Sequence, residues 1–159
     1  MKILKNYTIT ILLSIIIGAL CGLIGSFFSK SVGFVTDLRV QNNWLLYLLP
    51  IGGLLSVGIY KLCRVKSIGT TNVFDCVRTE QNLPPLLAVA IFLGTCISHL
   101  FGASSGREGA ALQIGGGVAN TFSRLFKLCD ETRHQLIMCG MAALFSAVFG
   151  TPLAACVFV

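Results

Sequence analysis

An all-α, multi-pass membrane protein with tilted and partly re-entrant helices is predicted by three features of the sequence. Only 11% of its 159 residues are charged and 55% are hydrophobic, whereas soluble domains carry about a quarter charged residues. The mean hydropathy is +0.84. The early apolar runs are long enough to cross hydrocarbon as helices of about 20 residues. The later runs are shorter and broken by glycines and polar stretches.

The first run, residues 7–28, follows Lys2 and Lys5. It is too long for the apolar part of a signal peptide and no Ala-x-Ala site follows it, so it reads as an uncleaved first span. Within it Gly18, Gly22 and Ser26 recur at every fourth residue, a face on which a neighbouring helix can pack closely. Residues 44–62 form a second span. Residues 86–101 form a third, entered through Pro84 and Pro85, which suit a helix's first turn. Two crossings bring Lys61, Arg64 and Lys66 to the side of Lys2 and Lys5. That bias places the N-terminus in the cytoplasm of a cell carrying the protein in its cell membrane. The intervening loop holds Lys30, Asp37 and Arg39.

After residue 66 the pattern changes. Short helices are expected over about 72–80, 109–122, 130–149 and 152–159, interrupted by "GGG", "KLCDET" and "FGTP". Asp130 is placed to cap the helix entering at Glu131. Broken apolar segments of this kind read as half-helices ending inside the membrane, which are tolerated where protein or an aqueous path surrounds them.

Several function classes are excluded. The seven cysteines form no C-x-x-C pair, and His99 and His134 lack ligand-spaced partners, so neither a disulfide framework nor a metal site is expected. No cofactor motif is present. The net charge is +6, but the basic residues are scattered singly, which does not fit nucleic acid. There is no nucleophile elbow, H-E-x-x-H or G-K-[ST] loop, so no enzyme is expected.

Chemistry concentrates in "GASSGREGAALQ", residues 102–113. Gly102, Gly106 and Gly109 free the backbone to turn into a helix whose unpaired N–H groups and macrodipole favour an anion. Two readings of Glu108 stand side by side. Ser105-Gly-Arg-Glu108 matches the S-x-x-E capping box, in which the carboxylate satisfies a backbone N–H. An ionisable residue at membrane depth is costly and a functional candidate, so the carboxylate can also compete with a free anion for one pocket. Arg107 is either part of that site or a snorkelling cation. "SIGTTN", residues 67–72, is a second glycine- and hydroxyl-rich helix start, either an anion site or an ordinary polar loop.

These residues carry a family resemblance. "GREGAALQIGG", residues 106–116, resembles the G-[KR]-E-G-P signature followed by Q-I-G of the CLC chloride channels and anion/proton exchangers, with Ala110 in place of proline. Pro152, Leu153 and Ala154 are similar to the family's F-x-x-P-L-A-G turn, with Ala155 in place of glycine. The family's serine-containing G-S-G-I-P loop has no counterpart, and "SIGTTN" stands in its place. "SHLFGASSGREG" resembles the fluoride/proton antiporter branch.

The resemblance implies anion transport, with fluoride exchanged for protons and Glu108 as both anion gate and proton acceptor. It implies anion contacts at Gly69, Thr70, Thr71, Asn72, Gly106, Arg107, Gly109 and Ala110, without choosing one hydroxyl. Independently of the resemblance, the positive ring edges of Phe101, Phe145 and Phe149 could add to them, although core packing is the expected role of each. It also implies a homodimer in the bilayer, for which Met138, Met141, Leu144, Phe145 and Val148 offer an apolar face. Residues 1–159 then form a single incomplete transmembrane domain, about the first half of an inverted-repeat fold, expected to hold half a site and be inactive alone. The alternatives are a chloride channel or chloride/proton exchanger of the same family, and a non-transporting membrane scaffold.

Overall fold

The computed structural model describes residues 2–65 and 84–159. The expected helix at 72–80, together with Gly69, Thr70, Thr71 and Asn72, lies outside the described residues. The described residues form α1 (Lys2–Gln41), a 3-10 turn (Asn43–Leu48), α2 (Leu49–Leu62), α3 (Leu87–Leu100), α4 (Arg107–Leu125), α5 (Asp130–Phe149) and α6 (Pro152–Phe158), with no strand among them.

Helix α1 differs most from expectation, because it continues through the residues read as a loop after 28. No proline interrupts residues 29–41, and the Thr36 hydroxyl donates to Val32 O at 2.7 Å rather than terminating the helix. Its 40 residues rise about 60 Å, roughly twice the thickness of the hydrocarbon. Its first half follows α5, with Ser14 beside Cys139 and Gly25 against Leu144 and Ala147. Its second half follows α3, where Phe27 and Phe28 meet Phe92 at ring separations of 5.6 and 5.5 Å.

The face of α1 that packs is Ile17, Cys21, Gly25, Phe28 and Val32. The expected Gly18/Gly22/Ser26 face is not used: no atom lies within 4 Å of a Cβ built on either glycine, and Ser26 bonds back to Gly22 O at 2.9 Å. Large neighbours decided this. Phe28 and Ile17 bury far more apolar area than a small-residue stripe can, and only one of the two faces can meet α5 and α3.

Helix α4 is the centre of the bundle, with eleven of its residues buried. The expected interruption at Gly115–Gly117 does not occur; the helix runs through it. The glycines let α5 approach, since a Cβ at Gly140 would stand 2.7 Å from both Ala119 Cβ and Gly115 O. Met141 and Leu144 are fully buried in this contact, so they do not belong to an outward subunit face. Met138, 37% exposed, remains outside.

Three helices stop alike. Val65 N–H reaches Tyr60 O, Ala103 N–H reaches Ser98 O, and Leu128 N–H reaches Ser123 O, at 3.0, 2.8 and 3.0 Å. Each closure passes through one left-handed residue, Arg64, Gly102 or Lys127, which satisfies the last carbonyls. Helix α5 begins at Asp130 rather than after it; Cys129 is the N-cap, and Asp130 instead pairs with Arg133 at 3.1 Å. Pro84 and Pro85 precede α3 rather than occupying its first turn. At 14 residues α3 is about 21 Å long, and α6, at 7 residues, about 10 Å. Neither spans the hydrocarbon. Among the described residues, the helices long and apolar enough to cross are Thr10–Gln41 and Asn43–Leu62.

Neighbouring contacts fix the ends. Gly52 lies against Phe101 and Gly94 against Tyr60, so α2 and α3 are antiparallel; Gly117 lies against Ala88, so α3 and α4 are too. The start of α1 and residues 63–65, 84–86 and 126–129 therefore gather at one end. The end of α1 and residues 101–106 gather at the other, the end toward which α5 also runs.

Candidate functional site

The site is built where α3 stops and α4 starts. Gly102 takes φ +83°, and a Cβ there would lie 2.6 Å from Leu46 Cδ1 and 3.7 Å from Arg39 Cδ. Glycine is therefore needed both for the left-handed backbone and for the close approach of the chain that follows α1. Residues 103–106 then run to Gly106, the N-cap of α4, whose backbone is extended at φ −68°, ψ 128°.

Among the described residues no side chain caps α4, whose N-cap is a glycine. The capping box expected from Ser105 is not formed, because Ser105 stands one residue before the N-cap and its hydroxyl lies 3.2 Å from Nδ1 of His99. A side-chain cap contributes typically about 1 kcal/mol to a helix, and α4 forgoes it. The leading N–H groups of α4, from Arg107 through Ala110, therefore keep the partial positive charge of an open helix start. Glu108 stands exposed in this first turn and Arg107 half-buried beside it. Among the described residues neither forms an ion pair. Gly106, Arg107, Glu108, Gly109 and Ala110 are thus brought together at one helix start. The proposed contacts at 69–72 lie outside the described residues.

Further along α4, buried Gln113 donates from Nε2 to Gly109 O at 3.1 Å, while its Oε1 has no protein partner. The three phenylalanines, for which core packing is the favoured role over an anion contact, each have a packing partner. Phe101 lies on Gly52; Phe145 meets Phe149 and Phe158 at 4.6 and 5.4 Å. No group of three or more His, Cys, Asp or Glu that could hold a metal occurs among the described residues.

Two residues escaped the sequence reading. Arg39, assigned to a loop between spans, lies with its Nε buried and unpaired beside Gly102. His99, set aside for want of ligand-spaced partners, contacts Ser105. The six-residue separation of His99 and Ser105 around a glycine was the available signal.

Fold and site together define a multi-pass helical membrane protein with an open, positively polarised helix start behind a glycine-flanked Arg-Glu pair. Residues 52–159 match the voltage gated chloride channel family. The chain is 36% identical over 146 residues to a chloride/fluoride channel protein of Pseudomonas syringae pv. tomato, covering 90% of this chain and 32% of that protein. It is 29% identical over 160 residues to the H(+)/Cl(-) exchange transporter ClcA of Vibrio campbellii, covering 91% of this chain and 34% of that one. A crystal structure of a CLC-type fluoride/proton antiporter superposes with a TM-score of 0.89 at 36% identity, over 97% of this chain and 40% of the other. The chain belongs to the voltage gated chloride channel family. It spans about a third of the length of these curated relatives.

Proposed function

We propose that the chain supplies the gate and part of the anion site of a CLC-type transporter that exchanges fluoride for protons. The observation that carries this reading is the uncapped start of α4 with Glu108 in its first turn. The ionised carboxylate occupies the positive helix start as a tethered anion and blocks the path. Protonation removes the attraction, the side chain leaves, and a free anion takes its place. Two negative charges about 4 Å apart repel by about 4 kcal/mol at an effective dielectric of 20, enough to enforce alternation. Gly106, Arg107, Gly109 and Ala110 line this site; Thr70 and Thr71, outside the described residues, are the hydroxyls proposed to contribute to it. Fluoride is small and strongly hydrated, so it needs such close donors to replace its water.

The end of the bundle bearing Lys61, Arg64, Arg124 and Lys127 faces the cytoplasm, in keeping with the positive-inside bias. The transporter works as a homodimer, with exposed Leu153, Val157 and Phe158 of α6 contributing to the contact; crosslinking in bilayers that yields monomers alone removes this part. The gate is tested with the intact protein in proteoliposomes, following anion flux with a fluoride electrode and protons with a pH dye. Glu108→Gln should abolish proton movement and leave anion flux passive or absent. Unchanged proton-coupled transport would remove the gate role from Glu108, whereas anion binding indifferent to its replacement, with no transport, would favour a membrane scaffold. Chloride carried as fast as fluoride would favour the chloride channel or exchanger reading.

A further inference from the structure

We propose that His99 is a positioning residue for the gate: through Ser105 it holds residues 103–106, and with them the start of α4 and Glu108. The inference rests on Glu108 being the gate. Its starting point is one nitrogen with two partners. His99 Nδ1 lies 2.9 Å from Thr95 O and 3.2 Å from Ser105 Oγ. A carbonyl oxygen only accepts, so Nδ1 carries the hydrogen, and Ser105 Oγ accepts the second branch of the same N–H. The bond to Thr95, one turn back on α3, makes the ring a fixed extension of that helix. Ser105 is consequently tied to α3 rather than to α4.

The tether sits where the chain would otherwise be loose. Residues 103–105 lie between Gly102 and Gly106, and across 102–106 the backbone–backbone bonds are the closures from Gly102 to His99 and from Ala103 to Ser98, and the short bond from Ser105 N to Ala103 O. Leu46 and Arg39 press on Gly102 from the side of α1, which holds the first glycine but not the second. Among the described residues, the hydroxyl of Ser105 provides the hydrogen-bonded grip before Gly106. The same bond keeps that hydroxyl from capping α4, so a single contact both places the helix start and leaves its N–H groups open for an anion or for Glu108.

The test uses the intact protein in proteoliposomes with His99→Leu, Ser105→Ala and the double variant. Each single variant should raise the KM for the anion by about tenfold and lower the number of protons moved per anion, a smaller loss than the roughly hundredfold that a misplacement of one ångström can cost. The double variant should be no worse than either single one, as expected for two groups acting through one bond. His99→Asn, which keeps a side-chain N–H, should recover part of the coupling. Hydrogen exchange of the amides at 103–109 should speed up in both single variants, while that of 130–149 stays as it was.

A merely structural histidine would lower the folded yield with KM and coupling unchanged, and that result overturns the proposal. Additive losses in the double variant, or unaltered exchange at 103–109, overturn it as well. Ser105→Ala removes a single hydroxyl and keeps the test decisive where His99→Leu folds poorly. Loss of coupling in Glu108→Gln with normal coupling in both His99→Leu and Ser105→Ala removes the positioning role alone. Normal coupling in Glu108→Gln removes the gate and the positioning role together.

Discussion

Helices α2 and α4 are built on opposite rules. The segment of α2 and its preceding turn has a mean hydropathy of 1.6 in its most apolar window, and only 6% of that window is buried. Helix α4 carries glycines, Gln113, Asn120 and Ser123, and eleven of its residues are buried. In water the apolar helix would be inside. Here lipid is the outer solvent, so apolar surface has no reason to hide, and helices associate through close backbone approach and internal hydrogen bonds. Buried Ser123 satisfies its hydroxyl within α4 itself, donating to Ala119 O at 2.8 Å. The most apolar segments mark what faces the bilayer, and small and polar residues mark what the fold is organised around.

The comparison breaks most readily at the contact of α4 and α5. Gly140→Leu places a branched side chain where Ala119 Cβ and Gly115 O leave 2.7 Å for a Cβ. We expect a loss above the roughly 1–3 kcal/mol usual for overpacking, because backbone rather than a flexible side chain must move. The readout is the thermal unfolding midpoint in detergent; a midpoint unchanged from the parent would mean that the two helices do not meet there.

Gly18→Ala is the counterpart on α1. No atom lies within 4 Å of the added Cβ, and alanine is a better helix former than glycine by about 0.5–1 kcal/mol. A small rise in the same midpoint is expected. A fall of the size seen at Gly140 would show that another surface packs on this face.

The smallest effect in free energy separates exposure to lipid from exposure to water. Cys129 and Cys156 are both exposed free thiols, but Cys129 lies in the turn before α5, and Cys156 in the apolar helix α6. Hydrogen bonds from the Thr132 side chain and backbone hold the Cys129 thiol below its ordinary pKa. More of it is therefore thiolate at a given pH, and its labelling profile is displaced to lower pH. A membrane-impermeant maleimide should react first at Cys129, with Cys156 protected in bilayers. Thr132→Val should move the Cys129 profile toward higher pH; equal rates at both cysteines would argue that α6 faces water.

Much of the site was legible because its signal is local. The glycines at 102, 106 and 109 and the adjacent Arg107 and Glu108 announce a sharp turn into a helix with charge at its start, and these depend on backbone freedom and sequence neighbours. The capping role of Ser105 was legible in the same way and was wrong. The box is a preference between nearby groups, and His99 on the preceding helix competed for the same hydroxyl. Arg39 was hidden for a related reason: its closeness to Gly102 depends on α1 running straight through the residues that read as a loop.

By itself the sequence determined the solvent, the helical class, the apolar runs and the sharp glycine-flanked turn into a helix start near residue 107. Each follows from the hydropathy of a segment or from the conformational limits of a few consecutive residues. Only the tertiary structure decided which face of α1 is inside, that Gly115–Gly117 remains helical, and that Ser105 bonds to His99 instead of capping α4. Those choices depend on which distant surface arrives. Phe28 and Ile17 offer α5 and α3 more area than a small-residue stripe does, Gly140 rewards Gly115 for staying in register, and one hydroxyl can serve only the partner that is placed to meet it.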